Sequence, residues 1–141
     1  MIEFITIALT LMASSHNMPL YFDAEQKEIG RKIIKEAHKL GEDPYTLMAI
    51  AWHESRVKRG KTSHTGDVGI FQINWRFWGK KIWQYKSYQQ FVEDMDNVEH
   101  GTLAAVMVLR EMRLYKTCVG INLYACYNGG PAWMKSKNID K

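Results

Sequence analysis

The run Met48-Ala49-Ile50-Ala51-Trp52-His53-Glu54-Ser55-Arg56 constrains the fold most, because it puts a carboxylate into an apolar helix. On a helical wheel at about 100° per residue, Leu47, Ile50, Ala51 and Val57 fall on one side, with Glu54 among them. Arg56, Trp52 and Ala49 lie opposite. An ionised carboxylate among apolar neighbours is costly, so its pKa is expected to rise. The group is then expected to stay a proton donor near neutral pH. The structural alternative keeps Glu54 as a buried group satisfied by Arg56 or a tyrosine hydroxyl.

The flanking sequence supplies the helix ends. Asp23 and Gln26 have capping-box spacing, and Ile29, Ile33, Ile34, Ala37 and Leu40 follow at helical spacing before Gly41 stops the run. Asp43-Pro44 restarts the chain as an N-cap followed by Pro at the first helical position. Residues 58–69 lose helical periodicity and gain Gly, Ser and Thr, which predicts an extended loop or small β-hairpin. Ser87 and Gln90 cap a further helix. Residues 98–115 are apolar on every side and are expected to form the central buried helix. A break at Val119-Gly120 precedes a short helix that Gly129, Gly130 and Pro131 end.

A chain of 141 residues fits one domain, and residues 1–22 could add a signal-like segment or an extra N-terminal helix. Residues 4–13 are apolar but fall short of the ~20 that a bilayer span needs, so no stable membrane span is expected. Glu3 is the only early charge, where a secretory signal wants a cation, which favours a retained helix. The formal charge of +4 suits anionic polymers in general. It gathers locally at Lys58, Arg59 and Lys61, and at the pair Lys80-Lys81, which read most simply as solvated surface. Cys118 and Cys126 could pair, but buried free thiols are the expectation.

Three blocks stand in order: Ala51-Trp52-His53-Glu54-Ser55-Arg56, then Gly66-Asp67-Val68-Gly69-Ile70-Phe71-Gln72-Ile73-Asn74, then Leu123-Tyr124-Ala125-Cys126-Tyr127-Asn128-Gly129-Gly130. At these residues the chain resembles the lysozyme-like superfamily, and most closely the lytic transglycosylases of soluble, conjugation and virion-associated type. Each block alone is a weak signal; their order and spacing make them specific. The resemblance implies a mainly α, α+β lysozyme-like fold: a helical domain with a small irregular or β-hairpin lobe after the catalytic helix. It implies cleavage of the β-1,4 bond between N-acetylmuramic acid and N-acetylglucosamine in peptidoglycan, with no cofactor and no metal.

Carried over residue by residue, Glu54 matches the family's acid and Ser55 the serine after it. Gln72 matches a substrate-binding glutamine, with Asn74 close behind in the same block. Tyr127 and Asn128 match the tyrosine and asparagine of the third block. Phe71 stands where Met is commoner, and is expected in the core. Asp67 departs from the family: many of its members have a small residue there. Gly-Asp-Val-Gly also resembles the segment of chicken-type lysozymes that holds a second catalytic carboxylate. Asp67 as a second catalytic group would make simple hydrolysis a competitor; as turn chemistry it would bond its own backbone. Trp75, Phe77, Trp78, Trp83, Tyr85 and Tyr88 could stack on sugars, but packing is the simpler expectation.

Other classes fare worse. His53-Glu54 would need a second histidine at position 57 for a zinc protease, and Val57 stands there. The cations form no stripe and no nucleic-acid motif is present, so no nucleic-acid partner is expected. A wall-binding module without turnover is the non-enzyme alternative. The expected setting is the periplasm or cell wall, in a phage virion or lysis step or in a secretion or conjugation apparatus.

Overall fold

Asp23 begins the first helix, α1 (Ala24–Leu40), by accepting the Gln26 N–H, while Gln26 Oε1 accepts the Asp23 N–H; both bonds are 2.8 Å. This computed structural model describes residues 18–120 and 122–128. The expectations for residues 1–17 and for Gly129, Gly130 and Pro131 lie outside the described residues. Gly41 closes α1 in the left-handed conformation at φ 68°. Asp43 then caps the second helix, α2 (Pro44–Ser55), by accepting the N–H groups of Tyr45 and Thr46, with Pro44 in the first turn. Both helix starts and the stop between them thus lie where the capping residues placed them.

α1 packs against α2. Leu47, Met48, Ala49, Ile50 and Ala51 are all at most 1% exposed, so α2 is buried on every side. This corrects the wheel reading, in which Ala49 faced away from the core. Each large side chain here contributes roughly 2 kcal/mol by leaving water. The central role expected of residues 98–115 therefore belongs to α2. The helix in that stretch, α4 (Val98–Met112), leaves Leu103 and Met107 41% and 43% exposed. Thr102, fully buried, returns its hydroxyl to the Val98 carbonyl at 2.6 Å.

Between α2 and α4 lies the small lobe. Its sheet has two antiparallel strands, β1 (Asp67–Val68) and β2 (Ile73–Asn74), in the register Asp67 to Asn74 and Val68 to Ile73. A single bridge pairs Thr62 with Val68. Val68, Ile70, Phe71 and Ile73 supply its buried side, so Phe71 is core as expected. Gly69, at φ 83°, packs directly on the Met95 carbonyl, where a Cβ would collide. That glycine sets how closely the hairpin approaches α3 (Tyr88–Asp96), which Ser87 caps as expected.

The sequence reading missed the π-helix over Trp75–Ile82. Asn74 caps it by accepting the Phe77 N–H at 3.0 Å. Its aromatics pack on neighbours: Trp75 meets Phe91 and Tyr88 at centroid separations of 5.3 Å. Tyr85 donates to Asp94 at 2.7 Å. Burial, then that bond and the carboxylate's charge, pushes the Tyr85 phenol up to about 12.

The chain divides into two compact units, Met1–Ala104 and Ala105–Lys141. In the second unit Cys118 and Cys126 form a disulfide, with Cα atoms 5.9 Å apart. This corrects the expectation of two free thiols. A separation of eight residues lets the turns after α4 bring the helical run over 122–128 back to Cys118. No helix among the described residues is long and apolar enough to cross a membrane.

Candidate active site

Three turns beyond its Asp43 cap, α2 delivers Glu54 to its C-terminal end. The residue is half-buried, and its Oε1 is withdrawn from solvent. Ile50 and Ala51, one turn back, are buried. Ser55 is fully buried. Its hydroxyl donates to the Ala51 carbonyl at 3.1 Å and accepts the Lys58 N–H at 3.2 Å. Ser55 therefore closes the turn after the helix.

The chain reverses at once. Arg56 and Val57 both hold positive φ, 58° and 56°. For a β-branched residue such as Val57 this is a strained conformation, costing on the order of 1–3 kcal/mol. The surroundings enforce it. The N–H groups of Arg56 and Val57 donate to the Trp52 and Ala51 carbonyls at 2.9 and 3.1 Å. The Val57 side chain is fully buried. Gln26 Nε2 donates to the Arg56 carbonyl at 2.8 Å. The Arg56 guanidinium lies over the Trp52 ring, 4.8 Å from its centroid, and Trp52 stacks on Phe22. No glycine marks this reversal, so the sequence reading had no cue to it.

In the lobe, both Asp67 carboxylate oxygens are hydrogen-bonded. Its Oδ2 accepts the hydroxyls of Ser63 and Thr65, both at 2.8 Å, and its Oδ1 accepts Asn74 Nδ2 at 2.9 Å. Its N–H donates to the Ser63 hydroxyl at 3.0 Å. Asn74 spends its second amide hydrogen on the Thr65 carbonyl at 3.2 Å. The sheet register thus brings Asp67 and Asn74 together as a lock across the hairpin, a role beyond either expectation for them.

Gln72 also has positive φ, 50°. Its Nε2 donates to the Gly69 carbonyl at 2.9 Å and to the Lys61 carbonyl at 3.1 Å. The nitrogen end is thereby committed to the fold. Tyr127 and Asn128 belong to the second unit, where Tyr127 is buried and Asn128 exposed.

With that geometry in view, the family model described as Transglycosylase SLT domain matches residues 31–140. The chain belongs to that family. No curated protein and no solved structure matches it. SLT domains are lytic transglycosylases of the lysozyme-like superfamily, and their substrate, peptidoglycan, lies outside the cytoplasm. The mainly helical architecture with a small antiparallel sheet is the one expected of an SLT domain. The match spans Glu54, Ser55, Asp67, Gln72, Asn74, Tyr127 and Asn128 but starts beyond Gln26. Gln26 and the Lys61 carbonyl, which hold the Arg56 carbonyl and Gln72 Nε2, are the parts of this arrangement that sequence reasoning overlooked. The capping box disclosed one end of the Gln26 amide; a backbone carbonyl carries no residue signature.

Proposed function

We propose that this SLT domain cleaves the β-1,4 bond between N-acetylmuramic acid and N-acetylglucosamine by transglycosylation, with Glu54 as the single acid/base. Glu54 first protonates the leaving glycosidic oxygen. As that bond breaks, the muramic acid ring takes on oxocarbenium character. The Glu54 carboxylate then accepts the proton of the same sugar's 6-hydroxyl, whose oxygen bonds to the anomeric carbon. The products are a 1,6-anhydro sugar and a new chain end, and Glu54 returns to its protonated form. One group serving both steps must change protonation easily near working pH, which withdrawal from water favours in a carboxyl group.

The supporting observation is the contrast between the two candidate carboxylates. Glu54 ends a buried helix with one oxygen out of water, whereas Asp67 has both oxygens taken up by Ser63, Thr65 and Asn74. Lysozyme-type hydrolysis would ask Asp67 to face the sugar. We read Asp67 and Asn74 as positioning residues of the lobe. We assign Gln72 to the glycan through its amide oxygen. Tyr127 and Asn128 are proposed as glycan contacts on the strength of the third sequence block alone, and Ser55 as the residue that fixes the turn behind Glu54. The place of action is the periplasm or wall, with which a disulfide is compatible.

Mass spectrometry of muropeptides released from purified cell walls tests the reading. Transglycosylation gives products one water lighter than hydrolysis does. Reducing-end products dominating from the start would reject the single-acid mechanism in favour of a hydrolase. Co-sedimentation with walls and no release of soluble fragments would leave only a binder.

A further inference from the structure

The chain leaving Glu54 runs Lys58-Arg59-Gly60-Lys61, and its backbone is fastened at three points. The Lys58 N–H donates to the buried Ser55 hydroxyl at 3.2 Å. The Gly60 N–H donates to both Asp96 carboxylate oxygens, at 3.0 and 3.1 Å. The Lys61 carbonyl accepts the Gly69 N–H at 2.8 Å and Gln72 Nε2 at 3.1 Å. The first and last anchors are the residue that follows Glu54 and the glutamine assigned to the glycan. The segment is therefore a strap between the two.

The backbone is held while the side chains are released. Lys58, Arg59 and Lys61 are all exposed, and among the described residues none of them forms an ion pair. Three cations on four residues repel one another, and the one carboxylate held on the strap, Asp96, is spent on the Gly60 N–H and pairs with none of them. Fixing the backbone also removes much of the entropy that a flexible loop would lose on binding an anion.

Resting on the glycan-cleaving reading above, we propose that this strap binds the carboxylates of the peptide stems carried by the glycan strand being cut. The position argues for that anion. A cation set tied to the Glu54 helix on one side and to Gln72 on the other meets charges borne on the same strand, close to the scissile bond. Free carboxylates on the stem peptides are the charges such a strand presents there. The strap then makes the domain select strands whose stem carboxylates are free.

The test compares two matched substrates: peptidoglycan strands with their stem carboxylates free, and the same strands with those carboxylates capped as neutral amides. The readout is the ratio of kcat/KM on the two. For the wild type the ratio favours the strands with free stem carboxylates about tenfold, the scale of three exposed ion pairs acting together. It falls as salt rises, because exposed pairs are screened. The triple substitution Lys58→Ala, Arg59→Ala, Lys61→Ala brings the ratio close to one, and the charge-keeping set Lys58→Arg, Arg59→Lys, Lys61→Arg retains most of it. An alanine variant with the wild-type ratio overturns the strap while leaving glycan cleavage standing. Equal losses on both substrates also overturn it, as does a preference that follows phosphate-bearing wall polymer instead of stems. A wild type that cuts neither substrate defeats the cleavage reading itself.

Discussion

Gln26 joins the start of α1 to the strained reversal behind Glu54 with one amide group. Its oxygen accepts the Asp23 N–H and its nitrogen donates to the Arg56 carbonyl, both at 2.8 Å. The side chain is only 6% exposed, so neither bond can be replaced freely by water. Gln26→Glu separates the two jobs. The carboxylate still accepts from Asp23, but it sets a negative oxygen against a carbonyl. The expected cost is about 1–3 kcal/mol, the penalty for leaving a buried acceptor unsatisfied. Glycan turnover should drop with it, because the reversal after Glu54 loses its tether. Denaturant unfolding measures the first effect and wall clearing the second. Wild-type stability in Gln26→Glu would mean that the turn holds without this bond.

The two carboxylates make opposite predictions. Glu54→Gln should lower turnover by about 10²–10⁴, the usual contribution of a general acid/base, without lowering stability. Asp67→Asn should behave the other way. It keeps one acceptor oxygen and turns the other into a donor, so it gives up either the Ser63 and Thr65 bonds or the Asn74 bond; the lobe should be destabilised by about 1–3 kcal/mol, with activity per folded molecule largely kept. Unfolding curves and turnover on purified peptidoglycan, read together, decide it. Loss of turnover in a stable Asp67→Asn protein would reinstate a second catalytic carboxylate.

What the sequence disclosed, it disclosed through chemistry that acts locally. Asp23 with Gln26, Asp43 with Pro44, Gly41 and Ser87 each satisfy helix-end groups within a few residues, and each stands where it was expected. The three family blocks carried the fold class. Features that depend on distant partners were hidden. Ala49 was placed outward because a wheel registers only one helix, whereas the fold packs α1 on α2 and buries its middle turns all round. The left-handed Arg56 and Val57 carry no glycine to announce them, since neighbouring bonds and burial impose the conformation. Asp67 read as a second catalytic group or as turn chemistry, and nothing in its local sequence disclosed that the register sets Asn74 opposite it. The π-helix was missed although Trp75, Trp78 and Ile82 recur at helical spacing, because bonding from i to i+5 carries no residue signature of its own.

Reducing the Cys118–Cys126 bond should loosen the second unit first. Closing a loop of eight residues' separation restrains the unfolded chain by about 2–3 kcal/mol in the loop-entropy model. Cys126 directly precedes Tyr127, so the proposed glycan contact is anchored through this link. Treatment with dithiothreitol should lower both the unfolding midpoint and wall clearing, and reoxidation should restore them. Alkylation of the freed thiols should trap the loss. Unchanged activity after complete reduction, verified by thiol titration, would show that Tyr127 is held by packing alone or is not needed.

Tyr85 and Asp94 give a stability signature at high pH. Burial and the Asp94 carboxylate raise the folded-state phenol to about 12, above the unfolded value near 10. The folded state therefore keeps this proton where the unfolded chain has lost it. By linkage, the stabilisation is fully present below about pH 10 and is lost as pH rises toward 12. Tyr85→Phe has no proton to lose there, so its unfolding free energy should fall less steeply than the wild type's across that window. The difference between the two proteins isolates Tyr85 from the lysines and other tyrosines that titrate over the same range. Parallel curves between pH 9 and pH 11, by urea denaturation, would mean that neither burial nor Asp94 shifts the phenol.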